Sequence, residues 1–307
     1  MTIARAFTYS SFTDATTLLG DPLALREQAA RDGYLFFRGL LPRSAVEDVR
    51  ADIARVLTDD GTLSDQDSGE VNRETVDSIP STAMRLDIGV SEASYVRIQQ
   101  VESLHLLPHH PTLVGLYEQL FGESVFVHPR HIVRAMTGHP ALRPTPPHQD
   151  FPLIQGSQNT WTAWFPLADT PLSRGPLSVL RGSHREGYIP IAPAEGAGLI
   201  EALLCRDEDD WITGAFEAGD VLTFPSLTVH RAVPATDRAH IRLSMDIRFQ
   251  PASEPIEARS LTNHSDRDWE EIYADWTSTD MQYYWRADKP SISPWDASLI
   301  QPGQRIC

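Results

Sequence analysis

Residues 240–249 hold the cleanest alternation in the chain. Ile241, Leu243, Met245, Ile247 and Phe249 take one parity; Arg242, Ser244, Asp246 and Arg248 take the other. Period two belongs to an extended strand, whose successive side chains point to opposite faces. If the apolar face packs on helices, the polar face lines a barrel interior. Arginine and serine there are costly unless an anion satisfies them. Taken alone, the strand has a competing reading with a solvated polar face. Upstream, residues 220–233 read as strand, Pro-Ser turn, strand, with His230 just inside the second strand. Residues 34–41 and 125–136 predict two more strands; Val127, Pro129, His131 and Val133 share one face of the latter. His131 is either a substrate contact or a core histidine. Helical signals cover residues 23–31, stopped by Gly33, residues 43–58 and residues 111–121, stopped by Gly122. The second of these carries Val46, Val49, Ile53, Val56 and Leu57 on one side. Residues 59–80 are acidic and loop-like, a lid or a solvated loop. From Asp266 onward, Trp269, Tyr273, Trp276, Tyr283, Tyr284, Trp285 and Trp295 predict a segment that packs back over the barrel.

No linker, repeat or low-complexity tract divides the 307 residues, so the chain reads as one domain, residues 1–307, with an all-β core and helical decoration. Hydrophobic residues make up 41%, and no apolar run nears the length of a membrane span. Residues 1–7 lack a leader-like apolar core. Two cysteines, Cys205 and Cys307, predict no disulfide framework and fit a reducing cytoplasm. The net charge of -16 argues against nucleic acid, and against coenzyme A unless a local basic patch overcomes it. Arg130, Arg134, Arg143, Arg181 and Arg185 are the candidates for such a patch. A single lysine, Lys289, among 26 basic residues suggests a GC-rich, bacterial genome.

The chemistry concentrates in Pro147-His148-Gln149-Asp150-Phe151, answered eighty residues later by His230 and then by Arg242-Leu243-Ser244. Two imidazoles and one carboxylate bind a divalent iron on one face and leave the opposite face open. An arginine twelve residues after the second histidine can grip the distal carboxylate of a dicarboxylate co-substrate. A His-x-Asp pair alone is weak, since about one is expected by chance in a chain of this composition. Order carries the argument: His-x-Asp, a long gap, a strand histidine, then Arg-x-Ser on the next strand. In an extended segment His148 and Asp150 point the same way and Gln149 turns away. The Pro144-Thr145-Pro146-Pro147 run before them and Phe151-Pro152 after them predict non-helical backbone.

At these residues the chain resembles the phytanoyl-CoA dioxygenase family of iron(II)- and 2-oxoglutarate-dependent oxygenases. The resemblance spans residues 23–250. It includes Asp32-Gly33-Tyr34-Leu35-Phe36-Phe37-Arg38-Gly39-Leu40-Leu41, Asn159-Thr160-Trp161-Thr162-Ala163-Trp164, and Gly175-Pro176-Leu177-Ser178-Val179-Leu180-Arg181-Gly182-Ser183-His184. It implies a double-stranded β-helix, the jelly-roll or cupin-like barrel, with residues 251–307 packed on it. It makes His148, Asp150 and His230 the iron ligands, and Arg242 the partner of 2-oxoglutarate, with Ser244 beside it. Trp161 is expected against the co-substrate, and Phe151 and His131 near the substrate. One departure is the spacing from His230 to Arg242, twelve positions where the family commonly has eleven; the loop 234–238 can absorb the extra residue. Arg238 is the competing arginine. Asp150 argues against halogenation, which needs a small residue at that position.

The implied reaction uses iron(II), 2-oxoglutarate and O2 to oxidise a C–H bond of a small molecule, plausibly a bacterial secondary metabolite or an amino-acid-like compound. Hydroxylation is the default; desaturation, cyclisation and epimerisation share its opening. Two alternatives stand beside it: an acyl-CoA hydroxylase, and a non-catalytic cupin-like protein holding zinc. Neither a nucleic-acid partner nor a membrane is expected. Monomer and homodimer are both open.

Overall fold

A computed structural model describes residues 10–205 and 210–305. The expectations for residues 1–7 and for Cys307 lie outside them.

Helix α1 (Pro22–Asp32) opens on Asp21, whose side chain accepts from the Ala24 amide, and closes on Gly33 at φ 75°. Strand β1 is Leu35–Phe37, shorter than the expected 34–41, because the chain turns at Gly39, where Asp220 accepts the amide. Helix α2 (Arg43–Asp59) buries Val46, Val49, Ile53 and Leu57, the stripe its periodicity predicts. Residues 59–80 are no plain loop. Strand Leu63–Asp65 pairs with Glu70–Val71, and helix Arg73–Ser78 follows under an Asn72 cap. Arg73 ties this segment to the barrel rim through the carbonyls of Thr137 and Arg238. Helix α3 (Glu92–Gln99) and helix α4 (Pro111–Phe121), the latter ended by Gly122 at φ 76°, complete the main helical layer.

The expected strand over 125–136 splits into β2 (Val125–Val127) and β3 (Ile132–Met136). Pro129 has no N–H to give a ladder, and residues 129–131 leave the sheet there. Both pieces still pair with one long strand, as described below. After them come a short helix α5 (Phe151–Ile154), strand β4 (Trp161–Pro166), strand β5 (Leu177–Leu180) and strand β6 (Trp211–Ile212). Strand β7 (Val221–Pro225), strand β8 (His230–Ala232) and strand β9 (Arg242–Pro251) follow.

The strands form two sheets. The larger runs β1-β7-β4-β9-β2, with β3 also on β9; the smaller runs β6-β5-β8; every one of these pairings is antiparallel. They face each other as the double-stranded β-helix, with Tyr34, Phe36, Trp164, Val179, Phe216 and Phe224 interleaved between them. All ten residues of β9 are buried. Its apolar parity (Leu243, Met245, Ile247, Phe249) joins Val46, Ile53, Leu113 and Leu116 in the main core. Phe249 stacks on Tyr117 with ring centroids 4.1 Å apart. The polar parity faces the space between the sheets.

The aromatic C-terminal segment packs on the outside of this framework. Ile272, Tyr273 and Trp285 cluster with Phe126 of β2 and with Ile256. The Trp276 indole donates to the Gln100 carbonyl at 3.1 Å, and the Tyr284 hydroxyl donates to the Val127 carbonyl at 2.8 Å. Cys205 is disulfide-bonded, which corrects the expectation of reduced thiols and removes its argument for a reducing compartment. Among the described residues, no helix is long and apolar enough to cross a membrane.

Gly175 sits at φ 68°, and a Cβ there would lie 2.4 Å from the Val233 carbonyl oxygen. Backbone cannot move aside as a flexible side chain can. Gly175→Ala is expected to cost about 2–3 kcal/mol, seen as a lower urea midpoint at unchanged m-value.

Candidate active site

His148 and His230 come together because their backbones form a two-way bridge. The His148 amide donates to the His230 carbonyl at 3.0 Å, and the His230 amide donates back at 2.9 Å. This closes the mouth between the Pro-rich segment and β8. Asp150 lies two residues on, at φ -71° and ψ -32°, as the residue that caps α5. The expected extended run through Phe151-Pro152 is therefore corrected: a proline at the start of a helix needs no N–H partner, so it suits α5. Gln149 does turn away, donating to the carbonyls of Gly187 and Leu227.

The geometry fits a metal ion. His148 Nε2 lies 3.8 Å and His230 Nε2 3.7 Å from Asp150 Oδ1. One ligand atom from each of the three residues falls within 4.8 Å of the others. The opposite ring nitrogens are engaged: His148 Nδ1 donates to the Pro146 carbonyl at 2.8 Å, and His230 Nδ1 to the Thr228 carbonyl at 3.1 Å. That arrangement turns each Nε2 lone pair toward Asp150. Burial pushes His148 down to about 3, with His230 adding to the shift, and burial lowers His230 as well. Both imidazoles are thus neutral and ready to donate a lone pair. Burial disfavours the Asp150 carboxylate, but Arg248, the two histidines and Thr162 outweigh it and hold the group below the usual carboxylate range. Thr162 Oγ1 donates to Asp150 Oδ2 at 2.5 Å, and Arg248 Nη2 lies 3.4 Å from both carboxylate oxygens.

Arg242 stands behind this set in a narrow recess with Trp164, Leu177, Phe224 and His230. It is buried, and among the described residues its Nη1 reaches only Ser244 Oγ, at 3.4 Å. Its Nε has no hydrogen-bond partner. Burial pushes it down to about 10, with Arg134 adding to the shift. Such an arginine is built to receive an anion. Arg238 instead pairs with Asp77 at the surface, at 3.1 Å.

In front of the set opens a cavity of about 210 Å³, whose wall includes His148, Asp150, Arg130, Arg134, Ile132 and Leu153. Three expected contacts lie outside both spaces. Trp161 points into the helical core with Ala163 and Phe165, because only the other parity of β4, Thr162 and Trp164, faces inward. Phe151 is buried against the barrel, and Leu153 and Ile154 line the cavity in its place. His131 is fully buried beside His105, at 5.1 Å between ring centroids, and is a core histidine. Sequence reading missed Thr162, Trp164, Arg134 and Arg248 as site residues. Parity on β4 and β9 was the available signal for Thr162, Trp164 and Arg248.

Residues 29–242 match the family model for phytanoyl-CoA dioxygenase (PhyH). The chain belongs to the phytanoyl-CoA dioxygenase family. As a member of that family it is an oxidoreductase of the dioxygenase type. It is 30% identical over 269 residues to a 1-deoxypentalenic acid 11-beta-hydroxylase of Streptomyces arenae, covering 83% of this chain and 90% of that one. The same hydroxylase of Streptomyces exfoliatus is 30% identical over 277 residues, with the same coverage. The fold is shared with the epimerase SnoN, solved with Fe3+, alpha ketoglutarate and nogalamycin RO (TM-score 0.54, 24% identity, 78% of this chain and 86% of that one). It is shared also with EctD from S. alaskensis with bound Fe (TM-score 0.52, 17% identity, 87% of each chain).

This phytanoyl-CoA dioxygenase family member buries further neutral histidines away from the metal set. Burial pushes His105 and His109 down to about 4 and His128 to about 3. Each has a folded value below its ordinary 6.5, so the unfolded chain takes up protons first as pH falls. The stability they contribute is fully present above about pH 6.5 and is lost progressively down to about pH 4 for His105 and His109 and about pH 3 for His128. Each is expected to cost about 1.4 kcal/mol per pH unit within that window. Denaturant midpoints of metal-free protein at pH 7.0, 6.0 and 5.0 should fall steeply; a flat profile would refute the neutral-histidine assignment.

Proposed function

We propose that this enzyme is an iron(II)- and 2-oxoglutarate-dependent oxygenase that hydroxylates a C–H bond of a small secondary metabolite. The carrying observation is the buried His148-Asp150-His230 set with an unneutralised arginine, Arg242, in the recess behind it. His148, Asp150 and His230 would hold the iron, and Arg242 with Ser244 would hold the distal carboxylate of 2-oxoglutarate. When bound, iron(II) and 2-oxoglutarate activate O2 for removal of a hydrogen atom, with succinate and CO2 as co-products.

The chain's own residues prepare that chemistry. The carbonyls of Pro146 and Thr228 fix both imidazole tautomers, so no proton competes for the Nε2 lone pairs. Thr162 and Arg248 orient the Asp150 carboxylate from two sides. Trp164, Leu177 and Phe224 give the recess apolar walls, which strengthens the Arg242 contact with an anion. Ile132, Leu153 and Ile154 offer an apolar surface to substrate in the outer cavity.

The two Streptomyces relatives, named for hydroxylating 1-deoxypentalenic acid, support a small-molecule substrate and a hydroxylation outcome. An acyl-CoA would have to leave its nucleotide outside a cavity of about 210 Å³. Arg143, one expected phosphate contact, is paired with Glu195 at 3.3 Å. A zinc-holding binding protein would leave Arg242 buried without a counter-ion.

Anaerobically purified protein reconstituted with iron(II) should convert 2-oxoglutarate to succinate on exposure to O2, and zinc-loaded protein should not. Asp150→Ala should lose iron binding and turnover together. Arg242→Gln should keep iron but raise the 2-oxoglutarate requirement by about 30-fold or more, the usual cost of truncating one side of a buried charge pair. Iron retention by Asp150→Ala, or an unchanged 2-oxoglutarate affinity in Arg242→Gln, would refute the corresponding assignment.

A further inference from the structure

Four arginines, Arg130, Arg134, Arg248 and Arg259, line the outer cavity, although the whole chain carries 42 acidic residues against 26 basic ones. Two of them are neutralised by an acid of their own. Arg134 Nε lies 2.7 Å from Asp246 Oδ2, and Arg259 Nε lies 3.2 Å from Glu257 Oε2. The acids of the other two are either solvated or shared with the metal set. Arg130 donates to the Asn263 carbonyl at 2.6 Å and to Thr262 Oγ1 at 2.8 Å, both uncharged. Its acid, Asp266, is 3.4 Å away with a side chain 74% exposed to water. Arg248 is buried to 9% side-chain exposure, and its one acid partner among the described residues is Asp150, at 3.4 Å. Its Nε makes no hydrogen bond. Asp150 already accepts from Thr162 and faces two imidazoles, so a metal ion there would draw on the same carboxylate charge that Arg248 now uses.

His264 of this wall lies within the field of the same arginines. His264, held through Nδ1 by the Tyr95 hydroxyl at 2.8 Å, is kept neutral by burial and then by Arg130, Arg85, Arg134 and Arg248. Arg130 is separate from the 2-oxoglutarate grip, whereas Arg134 and Arg248 line both spaces. Arg242 lines the inner recess and not this cavity, whereas Arg130 lines this cavity and not the recess.

On the oxygenase reading proposed above, we infer that the substrate is a hydrophobic monocarboxylic acid whose carboxylate is held by Arg130 and Arg248. Planar guanidinium forks match a carboxylate in two-point geometry. Asp87 and Glu257 in the same wall disfavour a second negative charge. Ile132, Leu153 and Ile154 take the apolar body. Arg248 contacts both Asp150 and the cavity, so it ties the position of the substrate anion to the metal. The carbon oxidised is then set by its distance from the carboxylate. Arg130 and Arg248 are specificity-determining residues in this scheme, not members of the metal set.

Calorimetric titration under anaerobic conditions tests this. The protein is loaded with iron(II) and saturating 2-oxoglutarate, then titrated with cyclohexane-, decalin- and adamantane-carboxylic acids, each beside its own primary amide. At least one acid should bind tenfold or more tightly than its amide. Arg130→Gln and Arg248→Gln should each reduce that preference toward unity, with iron content and 2-oxoglutarate affinity checked on both. Arg259→Gln should retain it. No acid binding more tightly than its amide, or a full preference surviving both glutamine variants, would overturn the inference. Wild-type protein that binds no 2-oxoglutarate would overturn the oxygenase reading and this one with it. Binding of 2-oxoglutarate without an acid preference would overturn this one alone.

Discussion

A strand buried on both faces, one of them ionic, is the constraint around which this molecule is organised. Strand β9 gives its apolar parity to the helices and places Arg242, Ser244, Asp246 and Arg248 between the sheets. Burying that many charges is unfavourable unless each finds a partner. Asp246 finds Arg134, and Arg248 finds Asp150. Arg242 finds no carboxylate among the described residues. The imbalance is local and cationic in a chain that is strongly acidic overall, so its origin lies in the site and not in composition.

The metal set depends on this strand at second hand. Asp150 is held from β4 by Thr162 and from β9 by Arg248, while the two imidazoles are locked by carbonyls of their own neighbours. Backbone hydrogen bonds between His148 and His230 join segments eighty-two positions apart. A loop residue and a strand residue are thereby fixed as firmly as two neighbours on one sheet. Precision at the three ligand atoms then comes from backbone and buried polar contacts, with little freedom left in the side chains.

Much of this was legible in the sequence, and the parts that were not have identifiable causes. Strand β9 declared both faces through strict alternation, and helix α4 declared its ends through Pro111 and Gly122. The order of His148, Asp150, His230 and Arg242 carried the site. The resemblance puts Trp161 against the co-substrate, but the alternation along β4 makes Trp164 the inward tryptophan. The Asp150 backbone was read as extended because Phe151-Pro152 breaks helices from within but begins them readily. The hairpin and helix within 63–78 were hidden by acidic composition, while their signals, Gly69 at φ 68° and the Asn72 cap, are single residues. The cavity wall was beyond reach, since Leu153, Ala197 and His264 come from three separate segments with no shared period.

The division of charge between recess and outer cavity gives the site an order of assembly. Arg242 lies deep, beside aromatic walls, and Arg130 lies nearer the solvent. On the proposed reading, a dianion held by Arg242 would satisfy the inner charge first and leave the outer arginines to an anionic substrate. Arg248 stands between the two spaces, lining both and touching Asp150. Its charge is divided between orienting a metal ligand and attracting whatever enters the outer cavity. A change in the charge on Asp150 therefore alters how strongly the outer cavity holds an anion. On the proposed reading, metal occupancy and substrate affinity would be coupled through this one guanidinium.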